Sequence, residues 1–148
     1  MRVAVGKRLV LLGVALLLVV GAALAGKTYW DSEREAGYVA FNAGRFADAR
    51  ESLSFIAQLG DPYACRLMAY MSGLGLGGPV DVAEAVRWMA KSAPAGSDAR
   101  EFVGEQAYNL GKDAVDGLYG SEKVEVGRLW LQMADLSGSK KASPTLEK

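Results

Sequence analysis

Residues 61–96 read DPYACRLMAYMSGLGLGGPVDVAEAVRWMAKSAPAG, and this stretch decides the fold. Asp61 followed by Pro62 is an N-cap with proline at the first helical position, where the missing N–H would be unpaired in any case. Asp81 with Glu84 is an acidic form of the capping box and starts a second helix. Val82, Ala85, Val86, Met89 and Ala93 fall at i, i+3, i+4, i+7 and i+11, which gathers them on one helical stripe. Gly96 then closes that helix, because glycine has no Cβ to clash in the left-handed conformation that ends it. The reading is helix, glycine-rich turn, helix.

The same ending occurs three times. Ala49 to Gly60, Ala85 to Gly96 and Gly127 to Gly138 each place a small residue eleven positions before a glycine, with glycine-to-glycine steps of 36 and 42 residues. Phe46, Ala49, Leu53, Ile56 and Ala57 form the stripe of the first such helix, and Val126, Leu129, Trp130 and Met133 that of the third. Ser32 with Glu35 and Asp98 with Glu101 are further capping boxes that mark helix starts. Six helices are expected after the leader, at about 33–43, 46–59, 62–72, 82–93, 98–110 and 122–137. No segment alternates apolar and polar residues in the way a strand requires. The expected organisation is all-α: a leader over 1–26, a helical repeat domain over 31–138 and a polar, frayed tail over 139–148 that holds Pro144.

The leader carries Arg2, Lys7 and Arg8, then the uncharged run Leu9–Gly26, with no acid before Asp31. Two readings fit. A basic n-region, an apolar h-region and the small-residue site Ala23-Leu24-Ala25 describe a signal peptide cleaved after Ala25. An apolar run of 18 residues with Lys27, Tyr29 and Trp30 at its far edge equally describes an uncleaved anchor. Either way the basic flank keeps the N-terminus cytoplasmic and sends the rest outside, into a periplasm if the cell is bacterial.

Composition separates along the same line. The 148 residues are 51% hydrophobic with mean hydropathy +0.10, and 17 Lys+Arg balance 17 Asp+Glu. The first 25 residues hold three of the basic residues and no acid, so the remainder has 14 against 17 and a net charge of −3. A mildly acidic domain is a poor match for nucleic acid, which needs an excess of basic side chains on one face. The chain has no histidine, which rules out Ser-His-Asp and Cys-His nucleophile pairs and histidine-ligated zinc or haem. Its single cysteine, Cys65, forms no intrachain disulfide and reads as a small core residue.

Tyr70-Met-Ser-Gly73-Leu-Gly75-Leu76, followed by Asp81, Ala85, Trp88, Lys91, Ala93 and Gly96, resembles a Sel1-like repeat of the wider tetratricopeptide class. Phe41, Gly44, Phe46 and Ala49 resemble a degenerate first unit. Tyr108, Gly111, Gly127, Trp130 and Gly138 resemble a third with a longer loop between its helices. The second unit departs from the family in holding Arg66-Leu67 where a Leu-Gly pair precedes the tyrosine. The resemblance implies a short α-solenoid of about three helix pairs, which is also the number that stacking of half-buried pairs needs for stability. Trp88 and Trp130 are expected to plug the space within their own pairs. In such repeats the first helices line a concave face that holds an extended peptide or a partner helix. Tyr38, Tyr63, Arg66, Tyr70 and Tyr108 are the candidate partner-binding residues.

The resulting expectation is a non-enzymatic, exported or membrane-anchored adaptor for another protein or peptide of the cell envelope, with no cofactor, metal or nucleic acid. Two other classes stand beside it: an envelope enzyme or cell-wall glycan binder using acidic and aromatic groove residues, and a scaffold whose helices only oligomerise. Glu101 with Glu105, or Asp113 with Asp116, would be the carboxylates of a hydrolase, although a solvated helix face explains them equally. Gly73, Gly75, Gly77 and Gly78 lie between two helices, whereas a phosphate cradle follows a strand. Gly104 to Gly111-Lys112 has six residues between its glycines where a phosphate-binding loop has four, and Asp113 where that loop has Ser or Thr.

Overall fold

The computed structural model describes residues 2–139 and 141, with side chains from residue 13 onward. It is all-α: α1 Arg2–Asn42, α2 Phe46–Gln58, α3 Pro62–Leu74, α4 Val82–Lys91, α5 Ala99–Val115 and α6 Val124–Leu136, with a short 3-10 turn Ser121–Lys123 before α6. The helices pack as consecutive antiparallel pairs, α1 with α2, α3 with α4 and α5 with α6, and α2 against α3 joins the first two. The result is a short α-solenoid behind an N-terminal apolar helix.

The starts follow the capping chemistry. Asp61 accepts from the Ala64 N–H at 2.8 Å, Asp81 from Glu84 at 2.8 Å, and Asp98 from both Arg100 and Glu101. Gly60, Gly96 and Gly138 all take positive φ, as a left-handed stop requires. The expected stripes supply Leu53, Ile56, Met89 and Trp130 to the buried interior, whereas Val82 and Leu129, expected on the same stripes, are exposed; Met71, Leu74, Leu110 and Leu131 are the other large enclosed side chains.

Three local expectations are corrected. Ser32 and Glu35 do not begin a helix: α1 runs unbroken from Arg2 through both to Asn42, so the apolar N-terminal run and the segment expected as a separate helix over 33–43 are one rod. Residues 27–32 contain no proline, so nothing there interrupts the hydrogen-bond ladder. Trp130 does not stay within its own pair. It crosses to α3 and donates its indole N–H to the Gly73 carbonyl at 2.9 Å, and a Cβ on Gly73 would sit 2.9 Å from the indole ring. Trp88 is only half-buried and lies along α4, with its N–H toward Glu84 at 3.3 Å and Lys91 Nζ 5.5 Å from the ring centroid. Most of the tail expected over 139–148 lies outside the described residues.

The apolar part of α1 is uncovered. Leu16, Leu17, Leu18, Val19 and Leu24 are exposed, and α1 is the one described helix long and apolar enough to cross a membrane.

Candidate binding groove

Tyr63, Arg66, Leu67 and Tyr70 recur at i, i+3, i+4 and i+7 on α3, and Gln106, Asn109 and Asp113 recur at i, i+3 and i+7 on α5. Both helices are first members of their pairs, and these two stripes face each other across a groove of about 320 Å³. Tyr119, from the loop after α5, closes one end. The groove adjoins a second hollow where Pro62, Pro94 and Phe102 add apolar surface beside Tyr63, Arg66 and Gln106.

The rings are interlocked. Tyr38 of α1 meets Tyr63 with centroids 5.4 Å apart, and Tyr70 meets Tyr119 edge-on at 6.0 Å. Tyr119 also touches Phe41 at the top of α1, at 6.3 Å. The Arg66 guanidinium lies 4.9 Å from the Tyr63 ring centroid, a cation–π contact that holds the charge in the groove. Arg66 makes no ion pair among the described residues. The acid of the groove, Asp113, accepts from the Tyr70 hydroxyl at 3.1 Å.

Burial keeps these phenols neutral. Tyr63 is pushed up to about 12, first by desolvation and then by the hydrogen bond it donates to Tyr38. Burial also pushes Tyr119 up to about 12, with the charge of Asp113 adding to it. Tyr70 rises further, because burial and the adjacent Asp113 carboxylate both oppose its ionisation. Tyr38 moves down, since its oxygen accepts hydrogen bonds from Tyr63 and then from Asn42. The walls are therefore hydroxyl-bearing, uncharged rings around one cation.

Of the five candidates from the sequence, Tyr63, Arg66 and Tyr70 line the groove and Tyr38 flanks it through Tyr63. Tyr108 is not brought to it. Two positions from Gln106 is about 200° round the helix, so Tyr108 projects away and packs against the core. Gln106, Asn109 and Tyr119 were not foreseen; the first two are legible as a polar stripe with Asp113, whereas Tyr119 sits in a loop without periodicity.

The other motifs have structural roles. Gly75 is the left-handed cap of α3, and the loop after it seats on the start of α2, where a Cβ on Gly77 would meet the Ala47 nitrogen at 2.7 Å. Arg50 Nε holds that loop by donating to the Leu76 carbonyl at 2.9 Å. Asp116 pairs with Lys112 on the surface, and Glu105 with Lys141 at 3.2 Å. Cys65 is buried, its thiol directed at the Ala57 carbonyl at 3.3 Å, and desolvation pushes its pKa up, away from reactive thiolate.

No family model matches the chain, and neither a curated protein nor a solved structure shows significant similarity to it.

Proposed function

We propose that this chain is a Sel1-like helical module, anchored by α1 on the outer face of a cell membrane, that recognises another envelope protein through the groove between α3 and α5. The observation that carries the reading is the groove wall: stacked Arg66, neutral tyrosines and the amides of Gln106 and Asn109, all but Tyr119 projecting from helices. Such a surface suits an extended peptide. Amides pair with its backbone, rings cover its side chains, and Arg66 meets a carboxylate. Tyrosine and arginine are also the residues that dominate binding energy at protein interfaces.

Ring geometry favours a protein over a glycan as the ligand. Tyr70–Tyr119 and Phe41–Tyr119 pack edge to face, with interplanar angles of 70° and 72°, so they offer edges and hydroxyls and no continuous flat platform for a sugar face. The acids that could serve a hydrolase are otherwise engaged or solvated: Asp113 is held by Tyr70, Asp116 is tied to Lys112, and Glu101 and Glu105, which share a surface hollow, are exposed, with Glu105 paired to Lys141.

The test is photo-crosslinking in cells of the intact chain with a benzophenone amino acid at Gln106, followed by mass spectrometry. One specific envelope protein is expected, and Arg66→Glu should abolish its recovery. Recovery of nothing above the level seen with the probe at exposed Leu118 would sink the proposal.

A further inference from the structure

We propose that the end of the solenoid carrying the α2–α3 turn is a lipid-contacting foot, seated in the headgroup layer of the same bilayer that α1 crosses. The proposal rests on the reading of α1 as an uncleaved anchor, and adds what its continuity dictates. Along an unbroken helix Trp30 lies only about 6 Å beyond Gly26, the last residue of the apolar run, and Arg34 about 12 Å beyond it. The headgroup layer on each side of the hydrocarbon is itself about 5–8 Å deep. The folded domain begins within that depth, because Trp30 packs against its core; Arg34, just beyond it, has Nη1 3.8 Å from Asp61 in the α2–α3 turn.

Chain direction decides which end faces the lipid. α1 climbs away from the membrane and α2 returns toward it, ending at Leu59, whose side chain is 57% exposed at the tip of the turn. α4 descends beside it, and Lys91 Nζ donates to the Gln58 carbonyl at 2.6 Å. An exposed leucine thus lies beside Lys91, with half-buried Trp30 on the neighbouring helix at the membrane-proximal start of the domain, the side-chain types that place rings and alkyl stems among headgroups and their polar tips in water. Lys27, Arg34 and Lys91 are matched nearby by Asp31, Glu33 and Asp61, so the contact is apolar and interfacial and calls for no acidic lipid. Tyr119 and Leu118 lie at the opposite end, beside the top of α1.

The experiment uses the full chain in phosphatidylcholine vesicles, in a Cys65→Ala background, with an environment-sensitive fluorophore on Leu59→Cys, Lys91→Cys or Leu118→Cys. Circular dichroism confirms the fold of each. Headgroup nitroxide lipid is expected to remove most of the emission at 59 and 91 and none at 118. The inference is overturned if the chain resists carbonate extraction yet 59 and 91 are no more quenched than 118. Extraction of the chain by carbonate removes the anchor reading as well, so the two failures are told apart.

Discussion

Trp130 joins two helix pairs through a single hydrogen bond. Its N–H to the Gly73 carbonyl is buried and spans from α6 to α3. Trp130→Phe keeps most of the ring and leaves that carbonyl unpaired, a loss of about 1–3 kcal/mol to be read from the urea midpoint. Asp61 combines an N-cap with a contact to Arg34, and Asp61→Ala should cost about 1 kcal/mol in the same assay. Arg66 behaves differently. It is exposed and lacks an ion pair among the described residues, so Arg66→Glu should leave stability within about 0.5 kcal/mol of the parent while abolishing partner recovery. A large loss of stability would mean that Arg66 supports the fold and not the ligand.

At the scale of elements, α5 and α6 approach closely through their glycines. A Cβ on Gly127 would meet the Ala114 Cβ at 2.7 Å and the Gly111 carbonyl at 2.8 Å, both held by helix backbone. Gly127→Val should therefore force the pair apart and lower stability by about 1–3 kcal/mol or more, with a fall in the thermal midpoint. These glycines were visible in the sequence as a repeat position, but the distance they permit was not. What could be read was local: Asp61, Asp81 and Asp98 declare their helices through side-chain to backbone bonds a few residues long, and the stripe of α4 declares its buried face. The misreadings concern competition between neighbours. Ser32 and Glu35 are a valid start signal only if the chain before them is not already helical, and the leader is. Tyr108 lies on the first helix of its pair, as a residue of a concave face should, but its angle on α5 turns it against the core. Half of the groove was legible in α3; Tyr119 depends on how a loop folds across two helices, which no periodicity encodes.

The whole molecule should lose stability in alkali for a reason local to its groove. Tyr63 and Tyr119 ionise in the folded state at about 12, against 10.0 for an ordinary phenol, and Tyr70 later still. The unfolded chain thus releases protons first. The stabilisation is complete below pH 10, falls as pH rises above it, and is lost as pH passes about 12. Thermal midpoints at successive pH values should decline through that window, and Tyr70→Phe should soften the decline. An absorbance titration of the phenolates should show a late fraction that becomes normal in denaturant; a single ordinary titration of all the tyrosines would contradict the buried groove.

The edge contact between Phe41 and Tyr119 bears on how such a chain evolves. A linear array lengthens by duplication, since each new unit needs only the one before it. Here one ring of the first helix pair meets one of the last, so a further helix pair inserted between them would part the two and uncover the tyrosine that ends the groove. Melting from one end must break this contact with the other.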